Sequence, residues 1–273
     1  MYNDKLAEKT IIKKIWTNLF LGCVVYILIG CSSSNKEAGD SFIDHRDGHV
    51  YKTIKIGKQT WMAENLAYLP SVSPSSYGSA TIPYYYIYDY EGTDIKEAKA
   101  LFNFKTYGVL YNWSSAVTAS PDGWQLPSED QWKILENYLK ENGFGYKLSG
   151  IYQYETLTGK SLASTWGWDS GWDSTKVPKQ VGNDLTRNNR SGFNALPGGI
   201  REESFFESIK SHAYFWSSSD ISFLNELMQK ELLKNFKDDS LAICRELASY
   251  GFELDYSVNP KRFGLSVRCV KKN

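Results

Sequence analysis

The feature that most restricts this 273-residue chain is an apolar run, Leu19 to Ile29, close to its start. Lys13 and Lys14 stand ahead of it; Gly30, Cys31 and the polar stretch Ser32-Ser33-Ser34-Asn35-Lys36 follow it. A run of about a dozen residues is too short to span a bilayer, which takes about 20. Charge, then a short apolar run, then a small residue is the order of a secretory signal. The competing reading is a buried helix with a chance cysteine. It leaves both the preceding charges and the polar stretch without a role.

Leu28-Ile29-Gly30-Cys31 resembles the bacterial lipobox, in which a small residue precedes a cysteine that accepts diacylglycerol. Residues 1–30 are then expected to be a lipoprotein signal peptide, 31–41 a polar tether and 42–273 one folded domain. A lipid on Cys31 makes the membrane a partner and places the domain in the cell envelope, at the outer membrane or cell surface. Cys23 leaves with the signal. Cys244 and Cys269 stay in a non-cytosolic space, where one disulfide and two buried thiols are both open. The 31 basic and 31 acidic residues cancel, so no overall field draws in nucleic acid. Hydrophobic residues make up 42%, enough for a packed core, and the 19 Tyr and 9 Trp suit either a binding surface or an aromatic interior.

The domain opens near Phe42. Val50 to Ile56 alternates with period two and reads as a strand, Gly57-Lys58 as a turn, and Gln59 to Met62 as the returning strand of a hairpin. Pro70 to Tyr90 reads as loop with at most a short strand over Tyr84 to Tyr88. Lys96 to Phe102 reads as one or two helical turns, and Gly108 to Tyr111 as a lead into a helix over Asn112 to Ala119. The plainest helix begins at Ser128, with Gln131 three residues on as a capping box. Trp132, Leu135, Tyr138 and Leu139 give it one apolar face, and Gly143 ends it. Leu148 to Gly199 is a long, Trp-rich loop. Ala213 to Ser219 reads as a strand and Phe223 to Phe236 as an inserted helix. Leu241 to Leu247, Tyr250 to Tyr256 and Phe263 to Val270 read as three closing antiparallel strands.

Several short strings stand in order: Asp47-Gly48, Gly57 with Gln59-Thr60-Trp61-Met62-Ala63-Glu64-Asn65-Leu66, and Tyr107-Gly108-Val109-Leu110-Tyr111-Asn112-Trp113. Gly123-Trp124-Gln125-Leu126-Pro127-Ser128, Ser191-Gly192-Phe193-Asn194-Ala195-Leu196-Pro197-Gly198-Gly199, Phe215-Trp216-Ser217-Ser218 and Gly264-Leu265-Ser266-Val267-Arg268-Cys269-Val270 complete the set. Together, over about Asp47 to Val270, they resemble the Fibrobacter succinogenes major paralogous domain family. That family is distantly similar to the formylglycine-generating, sulfatase-modifying fold, an elaborated C-type-lectin-like fold. The resemblance implies an α+β domain with short antiparallel strands, two main helices and extensive ordered loops, on a secreted or lipid-anchored surface protein. It also implies a cysteine just before the Pro-x-Gly-Trp string, paired with the C-terminal one. Ser120 stands there instead, which leaves Cys244 as the substitute partner of Cys269.

No spacing of His45, His49 and His212 suits zinc. Asp169, Asp173, Asn183 and Asp184 lie in loops and are oxygen ligands of the kind calcium takes. They read first as solvated turn residues, and no cofactor is expected. Thr158-Gly159-Lys160-Ser161 lacks the first glycine of a phosphate loop, because Tyr154 stands there. Trp61, Trp113, Trp124, Trp132 and Trp216 read as core. The binding candidates are Trp166, Trp168, Asp169, Trp172 and Asp173, whose indoles can stack on sugar faces while carboxylates accept from hydroxyls; Tyr84-Tyr85-Tyr86 ranks below them. The leading expectation is a non-catalytic module that binds a glycan or surface protein and serves adhesion. The alternatives are an enzyme of formylglycine-generating or carbohydrate-active type and a structural component of a surface assembly.

Overall fold

The computed structural model describes residues 40–147, 156–170, 179–235 and 240–272. In chain order its elements are β1 (Ser41–Ile43), β2 (Val50–Ile56), β3 (Gln59–Met62), β4 (Tyr85–Tyr86), α1 (Ile95–Ala100), α2 (Phe102–Tyr107), β5 (Leu110–Tyr111), α3 (Trp113–Ala116), β6 (Trp124–Gln125) and α4 (Glu129–Glu141). Then come β7 (Tyr146–Lys147), β8 (Thr156–Leu157), α5 (Gly159–Leu162), β9 (Gly198–Glu202), β10 (Phe205–Ile209), β11 (His212–Asp220), α6 (Glu226–Asn235), β12 (Leu241–Ala248), β13 (Asp255–Pro260), β14 (Leu265–Ser266) and β15 (Val270–Lys271). The class is α+β.

Local chemistry accounts for the elements that read clearly from sequence. Ser128 accepts from the backbone of Gln131, and Gln131 returns the bond to the backbone of Ser128, so α4 starts with a complete capping box. Between β2 and β3 the chain turns at Gly57 with φ +62, and any side chain there would strike the Tyr138 ring at 2.7 Å. Asn112 caps α3 by accepting from Ser115 N–H.

One sheet runs β1-β2-β3-β15-β6; the larger runs β10-β9-β11-β14-β5-β4, with β12 and β13 continuing from the other edge of β11. The expected closing strands need correction. Residues 250–254 are a loop, and β13 starts only at Asp255. The segment Phe263 to Val270 is divided: β14 lies parallel to β11 in the larger sheet, and β15 pairs with β3 and β6 in the other. One stretch of alternating residues serves two sheets, which periodicity alone does not reveal.

β11 separates two packed clusters. Trp216 points into one, with Tyr51, Met62, Leu66, Tyr111, Cys244, Leu265 and Cys269. Ala213 and Phe215 point into the other, with Trp61, Trp132, Phe193 and Leu247. Within the second, the Trp61 and Trp132 rings lie 4.7 Å apart and Phe193 meets both edge-on. Such pairs add about 0.5–1.5 kcal/mol each beyond their burial. A buried ion pair fixes α4 to β12: Arg245 donates to Glu129 at 2.6 and 3.2 Å and to Glu136 at 2.8 Å.

Candidate functional site

The ordered strings meet inside the molecule. Arg268, fully buried, donates to Met62 O at 3.2 Å, Asn65 Oδ1 at 2.7 Å and Phe193 O, with its guanidinium 4.6 Å from the Phe193 ring. Asn65 in turn donates to Tyr107 O at 2.9 Å and Ser266 Oγ at 3.2 Å. Trp216 Nε1 donates to Tyr111 O, and Trp113 Nε1 to Ser217 O. Five of the strings are thus joined by buried side chains that satisfy loop carbonyls, a structural task.

The two cysteines do not pair. Cys244 lies in β12, where Asn259 Nδ2 donates to its sulfur at 3.1 Å; Cys269 lies before β15, with Ser120 Oγ 3.4 Å from its sulfur. Burial pushes both thiols up to about 12, so neither is a thiolate near neutral pH. The residue beside Cys269 is Ser120, at the position where the resemblance implied a cysteine.

The Trp166–Asp173 string divides. Trp168 is core, corrected from its place as a ligand platform: it is 5% exposed and its indole donates to Ser164 Oγ at 3.0 Å. Trp166 is 47% exposed, and Asp169 is exposed. Trp172 and Asp173 lie outside the described residues, as do Cys31 and Asp173's part in the calcium set. Asn183 and Asp184 turn their carbonyl oxygens, with that of Gln180, onto the buried Lys160 ammonium. These loop oxygens therefore hold a cation supplied by the chain itself. In the Tyr84-Tyr85-Tyr86 run, Tyr86 is buried, and Tyr84 packs between it and the exposed Tyr77.

A backbone bond from Asp169 N–H to Lys210 O at 2.8 Å ties the Trp166 loop to the turn between β10 and β11. Beyond that turn is a group of polar side chains that sequence reasoning missed. His212 Nδ1 is 2.9 Å from Ser211 Oγ; its Nε2 is 3.0 Å from Tyr250 OH and 3.5 Å from Glu246 Oε1. Its ring stacks on Tyr214 at 5.5 Å. Register sets Asp255, Glu246 and Tyr214 directly opposite one another across β13, β12 and β11, so the three share one face. Glu207 of β10 acts electrostatically on both His212 and Tyr214. Facing Asp255 and half-buried, Glu246 has its pKa raised, first by burial and then by that like charge. Like charges directly opposite weaken a ladder, so this pairing is not explained by stability.

Tyr250 also edges an open depression of about 630 Å³ lined by Leu157, Gly251, Phe252, Glu253 and Asp255. Its floor is anchored: Phe252 O accepts from Gly159 N–H at 2.8 Å, and Gly251 O from Val181 N–H at 3.0 Å. Trp166 is exposed on the loop tied to Lys210, while the depression itself is lined by one exposed phenol, Tyr250, and the carboxylates of Glu253 and Asp255. These groups can accept hydrogen bonds from hydroxyl or amide donors and stack on apolar faces.

No curated protein and no solved structure matches the chain. The model of the Fibrobacter succinogenes major domain matches residues 54–271. That span holds all the interlocking strings from Trp61 to Cys269, and the chain belongs to the Fibrobacter succinogenes major domain family.

Proposed function

We propose that this protein is a lipoprotein, acylated at Cys31 and held at the outer membrane or cell surface, whose domain is a non-catalytic binding module for a glycan or surface protein. Its fold is read as an elaborated C-type-lectin-like domain akin to the formylglycine-generating one. The contact surface is the rim from Trp166 and Asp169 through His212 to Tyr250 and Asp255. One observation carries this reading: the family strings are spent on the interior, while the exposed Tyr250 ring and the Glu253 and Asp255 carboxylates line an open depression and the exposed Trp166 ring stands on the loop tied to the β10–β11 turn. Shallow stacking surfaces of that kind suit contact with extended ligands.

The test is a glycan array probed with the full chain, alongside adhesion by a deletion strain complemented with wild type or with Trp166→Ala/Tyr250→Ala. The expected result is a bound glycan class or adhesion that the double variant weakens at least about tenfold, the loss of a hot-spot pair. An array without binding, together with unchanged adhesion in the deletion strain, would contradict the proposal.

A carbohydrate-active enzyme is the second reading, and one contact favours it. Glu202 and Glu207 on the β9–β10 hairpin hydrogen-bond to each other; burial and that bond push the Glu202 carboxyl up to about 7. A proton shared by two carboxylates is an acid–base device. A Glu202→Gln variant that still binds, but releases no sugar from any substrate its parent cleaves, would favour this second reading. The formylglycine-generating chemistry needs reactive thiols, and two separated, buried thiols do not suit it.

A further inference from the structure

We propose that His212 and Tyr250 form a proton-operated switch at the edge of the depression: when His212 takes up a proton, the Tyr250 hydroxyl stops donating to the imidazole and donates into the depression instead. The switch regulates the contact surface proposed above and depends on that reading for its purpose, although its mechanics do not.

The hydrogen bonds determine the resting state. A serine hydroxyl has one hydrogen. Ser211 donates its own to Ser208 O at 3.0 Å, so toward His212 Nδ1 it can only accept. The proton of the neutral ring is therefore on Nδ1, and Nε2 presents a lone pair. Tyr250 OH, 3.0 Å away, fills that lone pair by donating. Its own hydrogen is then turned toward the protein.

A second proton on the ring must go to Nε2. The new N–H meets two acceptors, the Tyr250 oxygen at 3.0 Å and Glu246 Oε1 at 3.5 Å. Two hydrogens cannot share the line between Nε2 and the phenol, so the Tyr250 hydroxyl must rotate outward. Tyr250 is 46% exposed, leaving room for this. A rim that offered an acceptor oxygen then offers a donor.

The groups facing His212 set where this happens. Burial lowers its pKa from the ordinary value, and Glu207 on β10 opposes that. Glu246 on β12 is the ion partner, itself biased by Asp255 on β13. Tyr214 on the same strand stacks on the ring and Lys210 is exposed. Because the folded value lies below the unfolded one, the unfolded chain binds more protons in the interval between them. This residue's contribution to stability therefore falls as pH drops from about 6.5 to the folded value.

The experiment is a pH titration of the full chain in detergent, with ¹³C- and ¹⁵N-labelled His and ¹³C-labelled Tyr, read by nuclear magnetic resonance. The chain has only three histidines, and a His212→Gln variant assigns the signal. The expected result is the Nδ1–H tautomer at pH 8, with Tyr250 ring carbons moving at the same midpoint as His212. Glu246→Gln should lower that midpoint by about 0.5 pH units or more, because a carboxylate near a cation favours it. An Nε2–H tautomer at pH 8, or a Tyr250 signal that stays flat through the His212 midpoint, would overturn the switch. Neither result touches the glycan test, and an empty glycan array would leave this titration unaltered.

Discussion

At the scale of single residues, Arg268 shows how one side chain can hold distant parts of the chain. Its planar fork satisfies carbonyls at Met62 and Phe193 and the amide of Asn65 at once. An ammonium on a flexible stem cannot reproduce that geometry. Arg268→Lys should lower stability by about 2–4 kcal/mol, since buried acceptors lose their donors; chemical denaturation measures it. Gly108→Ala should cost about 1–3 kcal/mol, because Gly108 has φ +73 and a methyl would meet Leu66 O at 2.8 Å. Roles of this kind were partly legible from sequence: of the five tryptophans read as core, Trp61, Trp124, Trp132 and Trp216 are buried, and Trp113 is half-buried against the same interior. Trp166 and Trp168 were not separable. The buried Ser164 Oγ accepts from the Trp168 indole N–H and holds that ring inside, while Trp166 stays exposed.

At the scale of elements, signals that act within a few residues were readable, and those that act through pairing were not. The capping box announced α4, and period-two alternation announced β2. The β9–β10 hairpin went unseen because Arg201 is buried in it, donating to Ser75 O and Arg262 O where an apolar residue is the usual sign. The site escaped for a related reason. His212, Glu246 and Tyr250 are isolated polar residues in sequence, and only the β11–β12 register brings them together. One trace was present: Arg245 and Glu246 interrupt an otherwise apolar strand.

Two predictions belong to this scale. The Glu202 carboxyl is raised to about 7, so the folded protein binds more protons than the unfolded chain between roughly pH 4.5 and 7. The stability this pair contributes at low pH is lost as pH rises through that interval. Thermal melts at pH 5 and pH 8 should differ less for Glu202→Gln than for the parent. Ser120→Cys should close a disulfide with Cys269, whose sulfur is already 3.4 Å from Ser120 Oγ. The loop closed would be long, and the gain is about 2–5 kcal/mol, removed by reductant; mass spectrometry with melts in both redox states reads it.

At the scale of the whole molecule, the described residues form an α+β domain of two larger sheets whose shared interior is built from the family's strings, with a polar, aromatic rim at one end of β11. The interior explains why such a chain folds as it does. On the proposed reading, the rim carries what is particular to contact with a partner. Nine residues join Cys31 to Ser41, where β1 begins, and a chain of that length reaches at most about 35 Å. A lipid on Cys31 would therefore keep the domain within one protein diameter of the membrane. The most direct measurement is the intact mass of the protein extracted from membranes. The account predicts a mature chain that begins at Cys31 and carries diacylglycerol on its sulfur. A chain retaining Leu28 to Gly30, with the Cys31 thiol unmodified, would contradict it.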